Sequence, residues 1–355
     1  MTHADPSPHR AVLFAVPLLL IASISWGKSP DAKPSGLYNV SSAAALVKAV
    51  NNAPKDGATI VLAPGTYEID KTLVIQDKNT VNIVGSGWNT IIRKRGDGDA
   101  IRFTNSHFCT VKNLLMVGDP AAKTGSGIIF KDTSSCTVDF CRICEFPESG
   151  VRFEGNPKSP MSSNTVSDCH FIGNRRDQLY SFHNNDFYIT GNQFGTHSKF
   201  PRTGCVLDHS SAGTYTMNYH WGNVNAFRLG PGASFNRIEN NRFENSRETG
   251  VIIGDPKGGD WSGFNIITGN TIHTNSEDKS GAFPAMEAYD ASEITFCQNQ
   301  IFSWNSSALK HKSSLIIGRG CRDWIVKDNN FRHNVEKSLV YDENCGHIVK
   351  DNLMD

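Results

Sequence analysis

The sequence carries no surplus of charge: 35 basic residues stand against 35 acidic ones in 355 positions. Nucleic acid and anionic membrane surfaces are met by a basic excess, so any charge-based recognition here has to be local. Long apolar runs are missing too, with one exception. From Ala11 to Ser25 (AVLFAVPLLLIASIS) no charge interrupts, and the chain then turns polar at Gly27-Lys28-Ser29. That run is short for a transmembrane helix and contains Pro17. With Arg10 before it and the small residues Ser23 and Ser25 ahead of Trp26, it reads as a secretory signal peptide over residues 1–25, the alternative being an uncleaved anchor. The nine cysteines cannot all pair with one another, since their number is odd.

What is present is repetition. VKDNNF at Val326 returns as VKDNLM at Val349, and the same unit occurs as ITGNQF (Ile189), IENNRF (Ile238), ITGNTI (Ile267) and FCQNQI (Phe296). Aligned on the asparagine, these give Asn192, Asn241, Asn270, Asn299, Asn329 and Asn352. Tyr219 of TMNYHW fills the one gap, and Leu114, Cys141 and Cys169 hold the slot upstream. Before each unit lies a short apolar strand, such as AIRF, GIIF, GVRF, GCVL, AFRL and GVII. Short strands rich in β-branched and aromatic residues, punctuated by Gly, Asn, Asp and Ser at a period in the low twenties, exclude a helical bundle and indicate a parallel β-solenoid of about eleven coils. The recurrent asparagine tolerates a left-handed bend and its amide can bond its counterpart one coil away. Stacking also brings together Cys109 with Cys136, Cys141 with Cys169 and, offset by one residue, Cys321 with Cys345, as disulfides or as stacked small hydrophobes. The expected layout is a linker over 26–40 and a β-helix domain over 41–355. Residues 41–53 (SSAAALVKAVNNA) form a capping helix with Ser41 or Ser42 as N-cap and Leu46, Val47 and Val50 on its apolar face.

The capping helix, IVLAPGTYEI, VNIVGSGWNTIIR, the GIIF and GVRF coils and the ITGNQF and IENNRF units resemble the pectin-lyase-like superfamily of right-handed parallel β-helix proteins, over roughly residues 37–355. The resemblance implies an all-β parallel β-helix. It implies activity on polysaccharide without fixing the reaction, since that superfamily holds lyases, hydrolases, fructan-cleaving transferases, epimerases, esterases and non-catalytic proteins. It also implies a substrate groove on the outer face of the sheet that precedes the asparagine bends.

Strand alternation names that face. With Val151 and Phe153 inward, one outward column reads Arg102, Ile129, Arg152, Tyr180, Val206, Arg228, Ile252, Glu287, Ile316 and Val340. Its neighbour includes Thr104, Lys131, Glu154, Phe182, Asp208 and Tyr289. Cations, carboxylates and rings in one strip suit a sugar chain. A β-eliminating lyase acting on an acidic glycan needs a cation for the uronate carboxylate, for which Arg152 and Arg228 are candidates. It needs acid–base groups, for which Tyr180, His183, Asp208 and His209 are candidates. Arg102, Glu154, Phe182, Arg247, Glu248, Glu287, Tyr289 and Trp261 are candidate substrate contacts, with Phe200 and Phe283 as further loop aromatics. A hydrolase or fructan transferase would instead pair carboxylates, as Glu154 with Asp208 or with Glu287 as a further candidate, and a non-catalytic carbohydrate-binding solenoid is a third reading. The NTD, GDD and GHG signature of polygalacturonase-type hydrolases is absent, and no Asp run like the calcium site of pectate lyases occurs, so no metal or other cofactor is expected. The expected partner is a polysaccharide or oligosaccharide, with no nucleic acid, no membrane after signal removal, and a monomeric or homotrimeric chain.

Overall fold

The computed structural model describes residues 36–196, 202–304, 308 and 310–354. The expected signal peptide, the first part of the linker and Phe200 lie outside the described residues. The remainder winds into a parallel β-helix of about twelve coils whose strands fall into three long sheets. Sheet I has thirteen strands, from Leu37–Val40 to Ile348–Lys350; sheet II has twelve, from Gly65–Ile69 to Leu353–Met354; sheet III has eleven, from Leu73–Gln76 to Leu339–Val340. Strands are mostly three to five residues because a coil must bend after each face. A residue with positive φ sits at many of those bends.

Leu37–Val40 belongs to sheet I and pairs with Thr59 to Leu62, so the end of the expected linker is strand. The capping helix runs Ala43–Asn52, with the Ser42 side chain accepting from the Ala45 N–H at 3.2 Å. Its buried face is Leu46, Ala49 and Val50, whereas Val47 is exposed. The i, i+3, i+4 stripe continues through Ala49, and the larger Val47 lies on the solvent side. The Lys78 ammonium donates to the Val50 and Asn51 carbonyls, at the helix end where a cation is favourable.

The core is built of columns. Phe103, Phe130 and Phe153 stack at 4.9 and 5.1 Å between ring centroids, one per coil, and Phe171 stacks on Phe194 at 5.0 Å. Each coil lends its neighbour a matching apolar surface. The asparagine column is continuous: Asn192, Asn218, Asn241, Asn270, Asn299, Asn329 and Asn352 each bond the next through Nδ2 and Oδ1, at 2.9–3.1 Å. Asn218, not Tyr219, closes the gap. The unit is YTMNYH beginning at Tyr215, so His220 fills the inward aromatic slot, where it is buried and stacks on Phe194 at 4.6 Å. Nor do the column asparagines themselves take the left-handed conformation. The residue just before them does, as in Met217, Asn240, Gln298, Asp328 and Asp351, leaving the column side chain free to point inward.

None of the nine cysteines is in a disulfide. Cys141 and Cys169 extend the asparagine column as buried thiols: the Cys141 N–H reaches Cys169 Sγ at 3.4 Å, and the Cys169 N–H reaches Asn192 Oδ1 at 2.9 Å. At the corner after strand Thr90–Lys94 the Lys94 side chain turns into the fold, 1% exposed. Its ammonium donates to the carbonyls of Asp70, Arg95, Gly96 and Asp97 at 2.5–3.2 Å.

Asn270 receives the Asn241 N–H and side chain and donates to Ile238 O and Asn299 Oδ1. Asn270→Ala strands several buried groups at once and is expected to destabilise by about 3 kcal/mol or more. Asn352→Ala, at the half-buried end of the column, is expected to cost about 1 kcal/mol; urea denaturation of both variants checks the ordering.

Candidate functional site

The outward register on sheet III is the expected one. Consecutive pairings run Arg102 to Ile129, Arg152, Tyr180, Val206, Arg228, Ile252, Glu287, Ile316 and Val340. Beside it, Lys131, Glu154, Phe182 and Asp208 form the second column. The middle of this face holds a cavity of about 330 Å³. Tyr180, Val206, Asp208, Arg228 and Ile252 floor it. Its walls come from Arg176 and Asp177 ahead of the strand, Arg202 and Thr203 on the next coil, and Asp255 to Lys257 in the loop after strand Val251–Ile253. A second depression of about 510 Å³, lined by Lys131, Arg152, Glu154 and Phe182, shares Tyr180 with the first, so the two adjoin along the helix axis.

At their junction the Tyr180 hydroxyl donates to Asp208 Oδ2 at 3.2 Å. The Arg152 guanidinium lies over the Tyr180 ring, 4.9 Å from its centroid, while its Nε donates to Glu154 at 3.0 Å. Arg228 bonds Asp255 at 2.7 Å, and Arg176 stands 3.6 Å from Asp177. Burial raises the Asp208 carboxyl above its ordinary range, with Arg228 and the Tyr180 hydrogen bond pulling partly back. Burial, reinforced by Asp208, pushes the Tyr180 phenol up to about 12. Asp177, 6% exposed, is pushed up to about 6 by burial against the pull of Arg176 and a Thr203 hydrogen bond. Arg152 Nη1, Arg228 Nε and Asp208 Oδ1 are buried with no hydrogen-bond partner. Gly230 makes the Asp208 position possible, since a Cβ there would come within 1.7 Å of Asp208 Oδ1.

The other expected site residues are distributed around this centre. His183 and His209 both stand at left-handed bends just past their strands, with rings 4.9 Å apart and Phe182 edge-on to each. Burial lowers the His183 pKa, and His209 Nε2 pairs with Asp260 at 2.8 Å. Glu154 and Asp208 are two coils apart, about 10 Å between backbones, with Phe182 between them. Arg102 pairs with Asp99 at 3.1 Å, outside the cavity. Glu287 lies four coils beyond Tyr180, where it accepts from Tyr289 at 2.9 Å and Thr249 at 3.3 Å. Arg247 makes two bonds to Asp278, at 2.9 and 2.8 Å, and Glu248 follows it in the same turn. Trp261 lies against Gly263 and Phe264 in the loop that carries Asp255 and Asp260. Among the described residues no three His, Cys, Asp or Glu side chains gather as a metal-ligand set.

Arg176, Asp177, Arg202, Asp255 and Lys257 were not among the expected site residues. The strand containing Tyr180 begins at Asp177, so the RRDQ stretch beginning at Arg175 carries side chains into the cavity wall. Arg202 and Lys257 sit in segments that interrupt the regular coils, which is the signal that points to them.

A family model described as "Right handed beta helix region" matches residues 99–301. No curated protein sequence matches the chain. Among solved structures, it is similar to the A-module of mannuronan C-5 epimerase AlgE6 from Azotobacter vinelandii, at 13% identity and TM-score 0.67, over 90% of this chain and 96% of that one. It is similar to alginate lyase from a Paenibacillus species, at 17% identity and TM-score 0.61, over 79% and 98%. The Dettilon tailspike protein matches at 13% identity and TM-score 0.64, over 87% of this chain, which spans 64% of the tailspike. At such identities the likeness establishes the fold.

Asp177 sets a pH dependence of stability. Its folded pKa, near 6, lies above the unfolded value, so the penalty for burying its charge is absent below about pH 4, grows up to about pH 6 and is constant above. Asp177→Asn is therefore expected to gain on the wild type through that window, by about 2 to 3 kcal/mol at pH 8. Thermal melts of both proteins from pH 4 to 8 check it; a gap that stays flat with pH would contradict the assignment.

Proposed function

The chain belongs to the right-handed β-helix family, and on that footing we propose that it is an exported enzyme that cleaves an acidic, uronate-containing polysaccharide by β-elimination in the sheet III groove. The observation that carries this reading is the Tyr180–Asp208 hydrogen bond in a cavity lined by Arg176, Arg202, Arg228 and Lys257, with Arg152 on its far side. Four cations against Asp177, Asp208 and Asp255 leave the cavity suited to a carboxylate, and each of the three acids already has a bonding partner in the cavity lining. Two structurally similar proteins are named for acting on alginate and on mannuronan, which agrees with a uronate substrate.

Elimination begins with neutralising the uronate carboxylate, which acidifies the neighbouring C–H. Arg202 and Lys257 serve best, because the other guanidiniums are already engaged by Glu154, Asp177 and Asp255. Asp208, a stronger base than an exposed carboxylate because burial disfavours its charge, takes that proton. Tyr180, fully protonated at neutral pH, gives its proton to the departing glycosidic oxygen. The proton then passes from Asp208 to Tyr180 across their hydrogen bond and restores the site. His183, whose pKa burial lowers, and His209 line the bend beside Phe182 and meet sugar hydroxyls.

A hydrolytic reading draws on one specific observation: Asp177, protonated up to about pH 6, lines the same cavity as Asp208 and could act as its acid partner. The two readings differ in product. Elimination leaves an unsaturated uronate that absorbs in the ultraviolet, and hydrolysis leaves only reducing sugar.

Screening residues 27–355 against acidic and neutral polysaccharides is expected to give absorbing ends on a polyuronate. Tyr180→Phe should lower kcat by about 100-fold or more, with KM little changed. Arg202→Ala should chiefly raise KM, by about ten-fold. Sugar release without absorbance would move the case to Asp177 and Asp208, and binding without product would leave a carbohydrate-binding solenoid.

A further inference from the structure

Beside the groove, on the bend that leads from sheet III toward sheet I, three aromatic side chains face solvent: Phe235, Phe264 and Trp261, which are 60%, 45% and 43% exposed. Phe235 and Phe264 stack on successive coils at 5.0 Å and 8°, and Trp261 meets Phe264 edge-on at 5.4 Å. The Trp261 ring packs against Gly263. A Cβ at Gly263 would come within 1.9 Å of the six-membered ring, so only glycine allows the indole to seat there. The indole is therefore supported by its own coil at Gly263 while the residue stays 43% exposed.

We infer that Trp261 is the floor of a sugar-stacking subsite, which receives a residue of the polysaccharide chain as it leaves the Tyr180–Asp208 cavity around the bend. This rests on the reading of the groove as a polyuronate site. Continuity carries it: Asp208 holds Tyr180, His209 follows Asp208 in the chain, His209 Nε2 pairs with Asp260 Oδ2 at 2.8 Å, and Trp261 follows Asp260. The His209–Asp260 pair thus fastens the loop bearing the indole to the edge of the cavity. It also rims the aromatic patch with groups that bond hydroxyls. A pyranose offers both halves of this pattern, an apolar C–H face for the ring and equatorial hydroxyls for the rim. The patch is only three rings wide, well short of what a stable protein partner covers.

Affinity electrophoresis in gels containing polyguluronate, polymannuronate or polygalacturonate reads binding whether or not the chain is cut, and KM against oligomer length reads the subsite. Trp261→Ala is expected to weaken retardation by about ten-fold and to raise KM by about ten-fold on long oligomers, but by less than about two-fold on the shortest ones cleaved. Gly263→Ala, which unseats the ring while keeping the indole, should do the same, and Trp261→Phe should restore most of the loss. Retardation unchanged in Trp261→Ala, or a KM that rises equally at every length, would overturn the subsite while leaving the groove reading intact. If the wild type is held only by a neutral polysaccharide, the uronate reading falls and the same variants decide the subsite on that polymer. If it is held by none, both fall.

Discussion

In-register parallel stacking governs this molecule: whatever stands at one position of a coil meets its counterpart in the next coil about 4.8 Å away. Inside, the rule favours side chains that pair with copies of themselves. Phenyl rings stack, and asparagine is both donor and acceptor, so each amide satisfies the one before and the one after. A column of carboxylates or ammonium groups would instead add a like-charge repulsion at every step. The buried polar columns are accordingly built of amides, hydroxyls and thiols.

Outside, the same rule shapes the groove. A guanidinium on one coil cannot sit comfortably above another, and the outward column separates Arg152 from Arg228 with Tyr180 and Val206. Each of the two arginines then takes its counter-ion sideways, from Glu154 in the adjoining column or from Asp255 in a loop. The cavity arises where loops rise beside the periodic strands, so that Arg202, Asp255 and Lys257 join Asp208 and Arg228 without being copied into the next layer. Asp177 does so within a strand: the matching position of the next coil is Thr203, which bonds the carboxyl instead of repeating it, and Arg176 faces it.

Periodicity made most of the fold legible. A strand with Val151 and Phe153 inward fixes Arg152 and Glu154 outward, and the same alternation alone places Tyr180, Asp208 and Arg228 in their observed columns. The errors came where chemistry and position diverge. TMNYHW offers two plausible alignments, and the wrong one sets Tyr219 in a slot that needs a side chain both donating and accepting; Asn218 meets that need. In the capping helix Val47 looked like core because it is apolar, yet the smaller Ala49 lies on the buried stripe. Less of the candidate site was readable. Arg176, Arg202 and Lys257 converge from non-periodic segments, where spacing along the chain carries no information about which way a side chain points, and Asp177 opens a strand of six residues that extends beyond the four of the coil before it.

One corner of the fold shows how far covalent attachment can replace a solute. Four backbone carbonyls converge at the turn after strand Thr90–Lys94, as they do around a hard metal ion, and the charge at their centre is the ammonium of Lys94. Because that cation is tethered by its own side chain, it cannot be dialysed away, chelated or exchanged for a competitor. The turn is therefore independent of the ionic composition of whatever medium surrounds the protein, and its occupancy is inherited with the sequence.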